Sequence, residues 1–393
     1  MKIAVYHDLP SGGAKRALYE MLLRLKDRHE LTLYTHEGNE EYLSLESIVH
    51  KVEWLKPHVQ QRRVKAITTG LIGMTMAAYE AQQRDVALRI DKTNADVVFV
   101  HASQTVQSPS VLKYLKTPRV YFSQEVRRTW YEKRLRDAML AGRLGKIRFR
   151  LQKQLAILGE QNIAAARHIL VNSYYSHDAH KIAYGCDSEV LYLGVNTKDF
   201  ALKQKKQHSQ IEHKQLLVVG GLERFKNQIA IVEAVEALAH KFKTSATLHL
   251  VFDRFDPKYR EEVERSARQA GVHLELHERV EQSRLQELYA QADAVICVAD
   301  LEPFGFTPLE AMACGTPVVA IREAGYRETV IDGVNGVFSE NIHPDVLADA
   351  IDRCLRAGFE PQELRAHVRK HWSWDRTVKG LENILQDVAN EKA

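Results

Sequence analysis

Two series of short apolar runs, divided by one polar stretch, constrain this chain more than any other feature. The first series falls at 2–6, 30–35, 96–100, 119–122 and 168–171, and the second at 216–219, 247–251, 274–276, 294–298 and 317–321. Helical patterns stand between them, at 14–26 and then near 227–243, 257–270, 283–291, 308–314 and 344–357, with a last one around 377–389. Strands that alternate with helices predict parallel α/β sheets. Residues 201–215 are polar and aperiodic, so they read as a linker or exposed loop. At 393 residues the chain outgrows a single core, and two Rossmann-like halves with a cleft between them are expected.

Composition excludes several classes. With 45% hydrophobic and 27% charged residues the chain reads as an ordinary soluble globular protein. A net charge of +4, from 55 basic and 51 acidic residues, is too mild to call for nucleic acid as a partner. The four cysteines, Cys186, Cys297, Cys314 and Cys354, have no C-x-x-C spacing and fit reduced thiols in a cytosolic protein. No signal-type segment precedes the first strand, and no apolar run reaches the ~20 residues that span a bilayer. A cytoplasmic location is expected.

The stretch 292–321 carries the clearest local chemistry. An apolar run leads into Glu302-Pro303-Phe304-Gly305-Phe306, and a helix is expected from Thr307 as N-cap, with Pro308 first and Glu310 closing a capping box. Gly315 and Pro317 stop that helix after about two turns. Singly, Glu310 is explained as the capping partner and Glu302 as a solvated loop charge. Together with a short helix and a glycine-containing loop at a strand's carboxyl end, they suggest a sugar-phosphate cradle.

Two further features are less specific. Gly12 and Gly13 lie between the first strand and its helix, where backbone can approach a ligand or simply turn. From Val126 to Lys153 ten basic residues stand against two acidic ones. Arg127, Arg128, Arg134, Arg143, Lys146 and Arg148 belong to this run, and Arg62, Arg63 and Lys65 could extend it. It reads either as a solvated face or as a docking surface for an anionic acceptor or lipid headgroups.

The segment Glu302-Pro-Phe-Gly-Phe-Thr-Pro-Leu-Glu310-Ala-Met-Ala-Cys-Gly-Thr-Pro resembles the E-x7-E element of retaining glycosyltransferases of family 4, the glycosyl transferases group 1, which have the GT-B fold. Three other stretches are similar to elements of the same family: 324–337 to G-G-x-x-E-x-V-x-x-G-x-x-G, 219–227 to G-R-L-x-x-x-K-[GN], and 193–200 to N-G-V-D-x-x-x-F. The resemblance is close over about 165–375 and looser before it. It implies an acceptor-binding domain at 1–195, a nucleotide-sugar domain at 196–375, and a terminal helix, 376–393, crossing back to the first. Glu302 is expected to hold donor-sugar hydroxyls, Glu310 the ribose, and Lys226 the departing diphosphate. The amides of Phe304, Gly305, Phe306 and Thr307 are expected to face the sugar and diphosphate. Gly12 and Gly13 are expected on the donor as well. His101 matches a histidine facing the donor sugar near the anomeric centre; a satisfied strand-end histidine is its other reading.

One departure stands out. Gly221 occupies the position where the family usually has arginine, and Arg224, or an arginine of the first domain, is expected to supply the charge. Residues 121–132 look like a degraded H-x-P-P-R-x-x-Y segment of certain mannosyltransferases, which tilts the donor toward GDP-mannose over a UDP-hexose. The reaction implied is hexose transfer, with retention, to a glycan, lipid-linked saccharide or lipid acceptor, completed by closure of the two halves. Peripheral contact with anionic membrane at its inner face would accompany a lipid acceptor. No cofactor and no metal are expected: the 18 histidines are scattered, and His177 and His180 lack partners of ligand type. The alternatives are a catalytically silent GT-B partner subunit, motivated by Gly221, and a GT-B nucleotide-sugar epimerase. A nicotinamide dehydrogenase is disfavoured because no G-x-G-x-x-G is present.

Overall fold

Parallel strands covered on both faces read as unbroken apolar runs, and such strands make up both sheets of this protein. The computed structural model describes residues 1–10, 12–36, 44–55, 69–140, 145–200 and 213–391. The chain divides into two compact units, Met1–Leu193 with Trp374–Ala393, and Gly194–Ser373. Both boundaries lie two residues before the expected 195/196 and 375/376. Trp374 already opens the last helix and is buried with it.

The first unit holds β1 (Lys2–Asp8), β2 (Glu30–His36), β3 (Lys51–Leu55), β4 (Val97–Ser103), β5 (Arg119–Phe122), β6 (His168–Val171) and β7 (Glu189–Val190). They form one parallel sheet in the order β3-β2-β1-β4-β5-β6-β7. Strand β4 is buried along its whole length. The five apolar runs each fall on a strand, whereas β3 and β7 carry no such signal. They are edge strands, and of β3 only Leu55 is buried. The last helix, Trp374–Asn390, buries Trp374, Val378, Leu381, Leu385 and Val388, a 4-3-4-3 spacing that makes one apolar face. That face packs on helix Gly13–Leu25 and on β4 and β5. Glu382 on it accepts from Arg28 at 2.5 Å and pairs with His29 at 2.7 Å.

The second unit holds β8 (His213–Val219), β9 (Ser245–Phe252), β10 (His273–Glu278), β11 (Ala294–Cys297), β12 (Val318–Ile321) and β13 (Gly336–Ser339), all parallel in the order β10-β9-β8-β11-β12-β13. The expected linker 201–215 ends earlier than its polarity implies. Residues 213–215 belong to β8, where His213 meets Ser245 and Thr247 at 2.9 and 2.7 Å, while the rest of it lies outside the described residues. Cross-strand hydrogen bonds hold these polar residues in the sheet, and hydropathy does not register them. In both sheets the strand order reverses beside the first strand, between β1 and β4 and between β8 and β11. Reversals of this kind open a crevice at the strands' carboxyl ends.

Candidate functional site

The loop that leaves β11 builds the site, and its helix starts differently from the expected capping box. Helix Phe306–Ala313 is capped by Gly305 at φ 85°, with no side-chain cap hydrogen bond. Thr307 and Pro308 therefore lie inside the first turn. Glu310 lies deeper still, 3% exposed, and its carboxylate accepts from the Tyr289 hydroxyl at 2.8 Å. A left-handed glycine turns the chain into the helix, and the cap position itself supplies no side-chain hydrogen bond. Tyr326 closes over this glycine: a Cβ at Gly305 would stand 2.8 Å from its ring. Phe304 is buried against Trp372 and Phe306, at ring separations of 5.7 and 5.4 Å.

Across the switch point, Gly220 at φ 145° leads from β8 into a tight 3-10 turn, Arg224–Lys226. Asn227, left-handed at φ 58°, donates to Val298 O at 2.8 Å and to Asp300 at 2.6 Å, while Asp300 N donates to Phe225 O at 2.8 Å. These bonds staple the β8 loop to the β11 loop. They bring the Lys226 ammonium to 2.7 Å from Glu302, with both side chains about a fifth exposed. A pocket opens here, lined by Gly220, Lys226, Gln228, Glu302, Gly305, Thr307 and Tyr326 among others. Among the described residues that line it Lys226 is the only cation, and Glu310 is not one of them.

The expected substitute for the missing arginine goes elsewhere. Arg224 donates to Glu262 at 2.5 Å and lies over the Tyr259 ring at 5.2 Å, and its Glu262 bond raises its pKa. Gly221 also sits in a close-fitting place: a Cβ would come within 3.0 Å of the Glu223 carboxylate and 3.3 Å of Arg254 O. Its own carbonyl accepts from Gln228 at 2.8 Å. The loop is built around glycine here. Asn227 closes the 219–227 motif, and an Asn just before a helix is a signal for a left-handed cap, whereas Asp300 and Tyr326 carry no such local signal.

In the first unit the β1/β4 switch point gathers His7, Asp8, Lys15, His36, His101 and Ser103, all buried. Asp8 accepts from Ser103 at 2.8 Å. His101, at the carboxyl end of β4, packs edge-on to Phe99 and Phe122 with ring centroids 4.4 and 5.6 Å away. Neither of its ring nitrogens has a hydrogen-bond partner among the described residues, so it is not a satisfied strand-end histidine. Burial pushes its pKa down to about 3, so the imidazole is neutral at pH 7. Gly12 caps helix Gly13–Leu25 at φ 144°, with nothing within 4 Å of an added Cβ; conformation, not space, calls for glycine there. His7, Lys15 and His36 were not singled out, because only the sheet order brings them beside His101.

The family model for glycosyl transferases group 1 matches residues 199–371, which nearly coincide with the second unit. Residues 199–371 thus carry a domain of the glycosyl transferases group 1 type. A D-inositol 3-phosphate glycosyltransferase of Acidothermus cellulolyticus is 29% identical over 255 residues, 60% of this chain and 57% of that protein. That of Xylanimonas cellulosilytica is 28% identical over 61% of this chain, which spans 62% of it. Among solved structures, sucrose-phosphate synthase from Thermosynechococcus elongatus superposes with a TM-score of 0.74 at 15% identity, over 98% of both chains. The fold is GT-B, two parallel-sheet α/β units.

The basic run separates into distinct parts. Arg127 donates to Gln152 at 2.8 Å, and burial lowers its pKa. Arg128 forks onto Glu132 at 2.6 and 3.0 Å. Both are held by intramolecular bonds, which corrects their assignment to an open docking surface. Arg134, Lys146 and Arg148 are exposed, and beside the last two stand Ile147 and Phe149, 41% and 39% exposed. Arg143, Arg62, Arg63 and Lys65 lie outside the described residues. His180 bonds Ser176 O at 2.6 Å and Ser123 at 2.7 Å, and His177 bonds Ser188 O at 2.8 Å. The histidines are not all scattered, however: the ligand-type atoms of His249, Glu275 and His277 come together on the second sheet.

Proposed function

We propose that this protein moves a hexose from a nucleotide-diphosphate sugar, with retention, to a glycan, lipid-linked saccharide or lipid acceptor. The observation that carries the reading is the Lys226–Glu302 pair at the mouth of a switch-point pocket, beside the N-terminus of a helix capped by a glycine. Lys226 meets the diphosphate, and the helix N-terminus adds partial positive charge to it. Glu302, freed from Lys226 by the incoming phosphate, accepts from sugar hydroxyls. The bond from the anomeric carbon to the diphosphate oxygen breaks as the acceptor oxygen bonds to the same face. The departing phosphate oxygen takes the acceptor proton, so no protein nucleophile is required. In this reading the positive charge comes from protein groups, and the transfer itself uses no metal.

The relatives and neighbours narrow the donor and acceptor only by their own names. Relatives are named for D-inositol 3-phosphate, and HepE of Anabaena, TM-score 0.72 at 19% identity, is titled as a complex with UDP-glucose. A UDP-hexose thus stands beside GDP-mannose as the donor to try first. In a thermal-shift screen of UDP-, GDP- and ADP-sugars, one donor is expected to raise the melting temperature, since ligand binding stabilises the folded state. The shift is expected to vanish in Lys226→Ala. Intact folding with no shift and no turnover on any of them would instead favour the silent partner subunit, a reading supported by Arg224 being held on Glu262.

No helix among the described residues is long and apolar enough to cross a membrane. For a lipid acceptor, the exposed turn Lys146, Ile147, Arg148 and Phe149 offers cations beside apolar side chains for peripheral docking. Binding to vesicles containing anionic lipid is expected to fall steeply between low and ~0.5 M salt as screening sets in. Binding that is absent or indifferent to salt leaves a solvated face.

A further inference from the structure

We infer that the edge of the second sheet holds a site for a divalent ion of the zinc class, formed by His249, Glu275 and His277. Strands β9 and β10 pair His249 directly with Glu275, and His277 lies two residues further along β10. Alternation along a strand puts all three side chains on one face. Their donor atoms approach closely: His249 Nδ1 is 3.0 Å from His277 Nε2 and 3.3 Å from Glu275 Oε2, which is 3.6 Å from His277 Nε2. A tetrahedral ion with bonds of about 2.0–2.1 Å needs donors about 3.3–3.4 Å apart, so this triangle already has the required size.

A second observation fixes the chemistry of one donor. His249 Nε2 lies 2.7 Å from Gln215 Oε1 on β8. A carbonyl oxygen only accepts, so Nε2 carries the proton and Nδ1 turns a bare lone pair toward the other two donors. This is the outer-shell arrangement of histidines that bind metal. The imidazoles are mostly covered, with 13% and 15% side-chain exposure, while Glu275 is 45% exposed and leaves the fourth position open to water. Two imidazoles and one carboxylate suit Zn²⁺ or Co²⁺ and not the oxygen-seeking Mg²⁺ or Ca²⁺. Arg284 places positive charge near both imidazoles; the Glu275 carboxylate and Glu287, 3.4 Å from Arg284, offset it. Without metal, His277 Nε2–H donates to His249 Nδ1. Binding moves that proton to His277 Nδ1, with no net proton release. The ion bridges edge strand β10 to β9, two strands from the β11 loop that lines the pocket.

Cobalt is the direct test. The full-length protein, stripped with chelator, is titrated with CoCl₂ and then ZnCl₂. One equivalent of Co²⁺ is expected to develop the visible absorption of a four- or five-coordinate ion, and Zn²⁺ to displace it. His249→Ala and His277→Ala should each weaken binding by more than ~100-fold, a larger loss than the 10–100-fold expected for Gln215→Leu, which removes only an outer-shell partner. Glu275→Gln changes a half-exposed edge position and should stay folded, as far-UV circular dichroism would register, while binding more weakly. His273→Ala, on the same strand and face, should bind as the wild type does. A wild-type spectrum of hydrated Co²⁺ alone overturns the site. So does binding that survives in Glu275→Gln, or that is lost equally in His273→Ala.

Discussion

Lys226→Ala is expected to lower hexose transfer at least ~100-fold, the scale of losing one electrostatic contact to charge that develops in the transition state. Lys226 is the cation among the residues that line the pocket, and Arg224 is engaged by Glu262. The substitution also removes the positive charge that stands 2.7 Å from Glu302, so the diphosphate enters a pocket left with the carboxylate's negative charge alone. Glu302→Ala should cost a similar factor, through lost hold on the sugar. Because the two side chains touch, the double variant should lose less than the product of the single losses. Steady-state kinetics with the donor found by thermal shift checks this; near-normal turnover in either single variant removes the pair from the chemistry.

Gly325→Ala is expected to destabilise the second unit by about 2–3 kcal/mol, in the range of an overpacked core. An added Cβ would stand 2.4 Å from Pro303 O and 2.7 Å from Phe304 Cα. Both are backbone atoms, and no rotamer change relieves the clash. The Gly325 amide also donates to Glu302 O at 2.9 Å, so the loop that carries Glu302 must move with it. Urea denaturation should show the loss, and the donor-induced thermal shift should shrink in the same variant. Gly271→Ala is the control. Nothing lies within 4 Å of its Cβ, and its φ of 64° should cost only about 1–2 kcal/mol of left-handed strain, with the donor shift unchanged. Equal donor shifts in both variants would separate Gly325 from the site.

Much of this was legible because it is local. The apolar runs 119–122 and 168–171 coincide with β5 and β6, since buried parallel strands write their burial directly into composition. Edge strands β3 and β7 were missed for the same reason inverted: solvent tolerates their polar residues. The capping box failed more instructively. Thr307, Pro308 and Glu310 have the right spacing, but Gly305 takes the cap at φ 85°, and Glu310 gains more from Tyr289 in the interior than from an exposed amide. Spacing states which cap is available, and the competing tertiary partner decides whether it forms.

Site residues follow the same division. Lys226 and Glu302 could each be marked by family resemblance, yet their ion pair spans 76 positions and depends on Asn227 stapling two loops. Arg224 was expected to replace a missing cation because it lies three residues from Gly221. Glu262, reached through helix Pro257–Gln269, holds it instead.

The sequence by itself determined two parallel α/β units, the group 1 signature and the loop bearing Glu302, because strand burial and turn chemistry are properties of neighbouring residues. Only the tertiary structure decided which charges meet, that His101 lies unsatisfied and neutral, and that His249 faces Glu275 and His277. Those outcomes depend on strand register and on which partner wins a buried hydrogen bond, and both are set by packing between segments far apart in the chain.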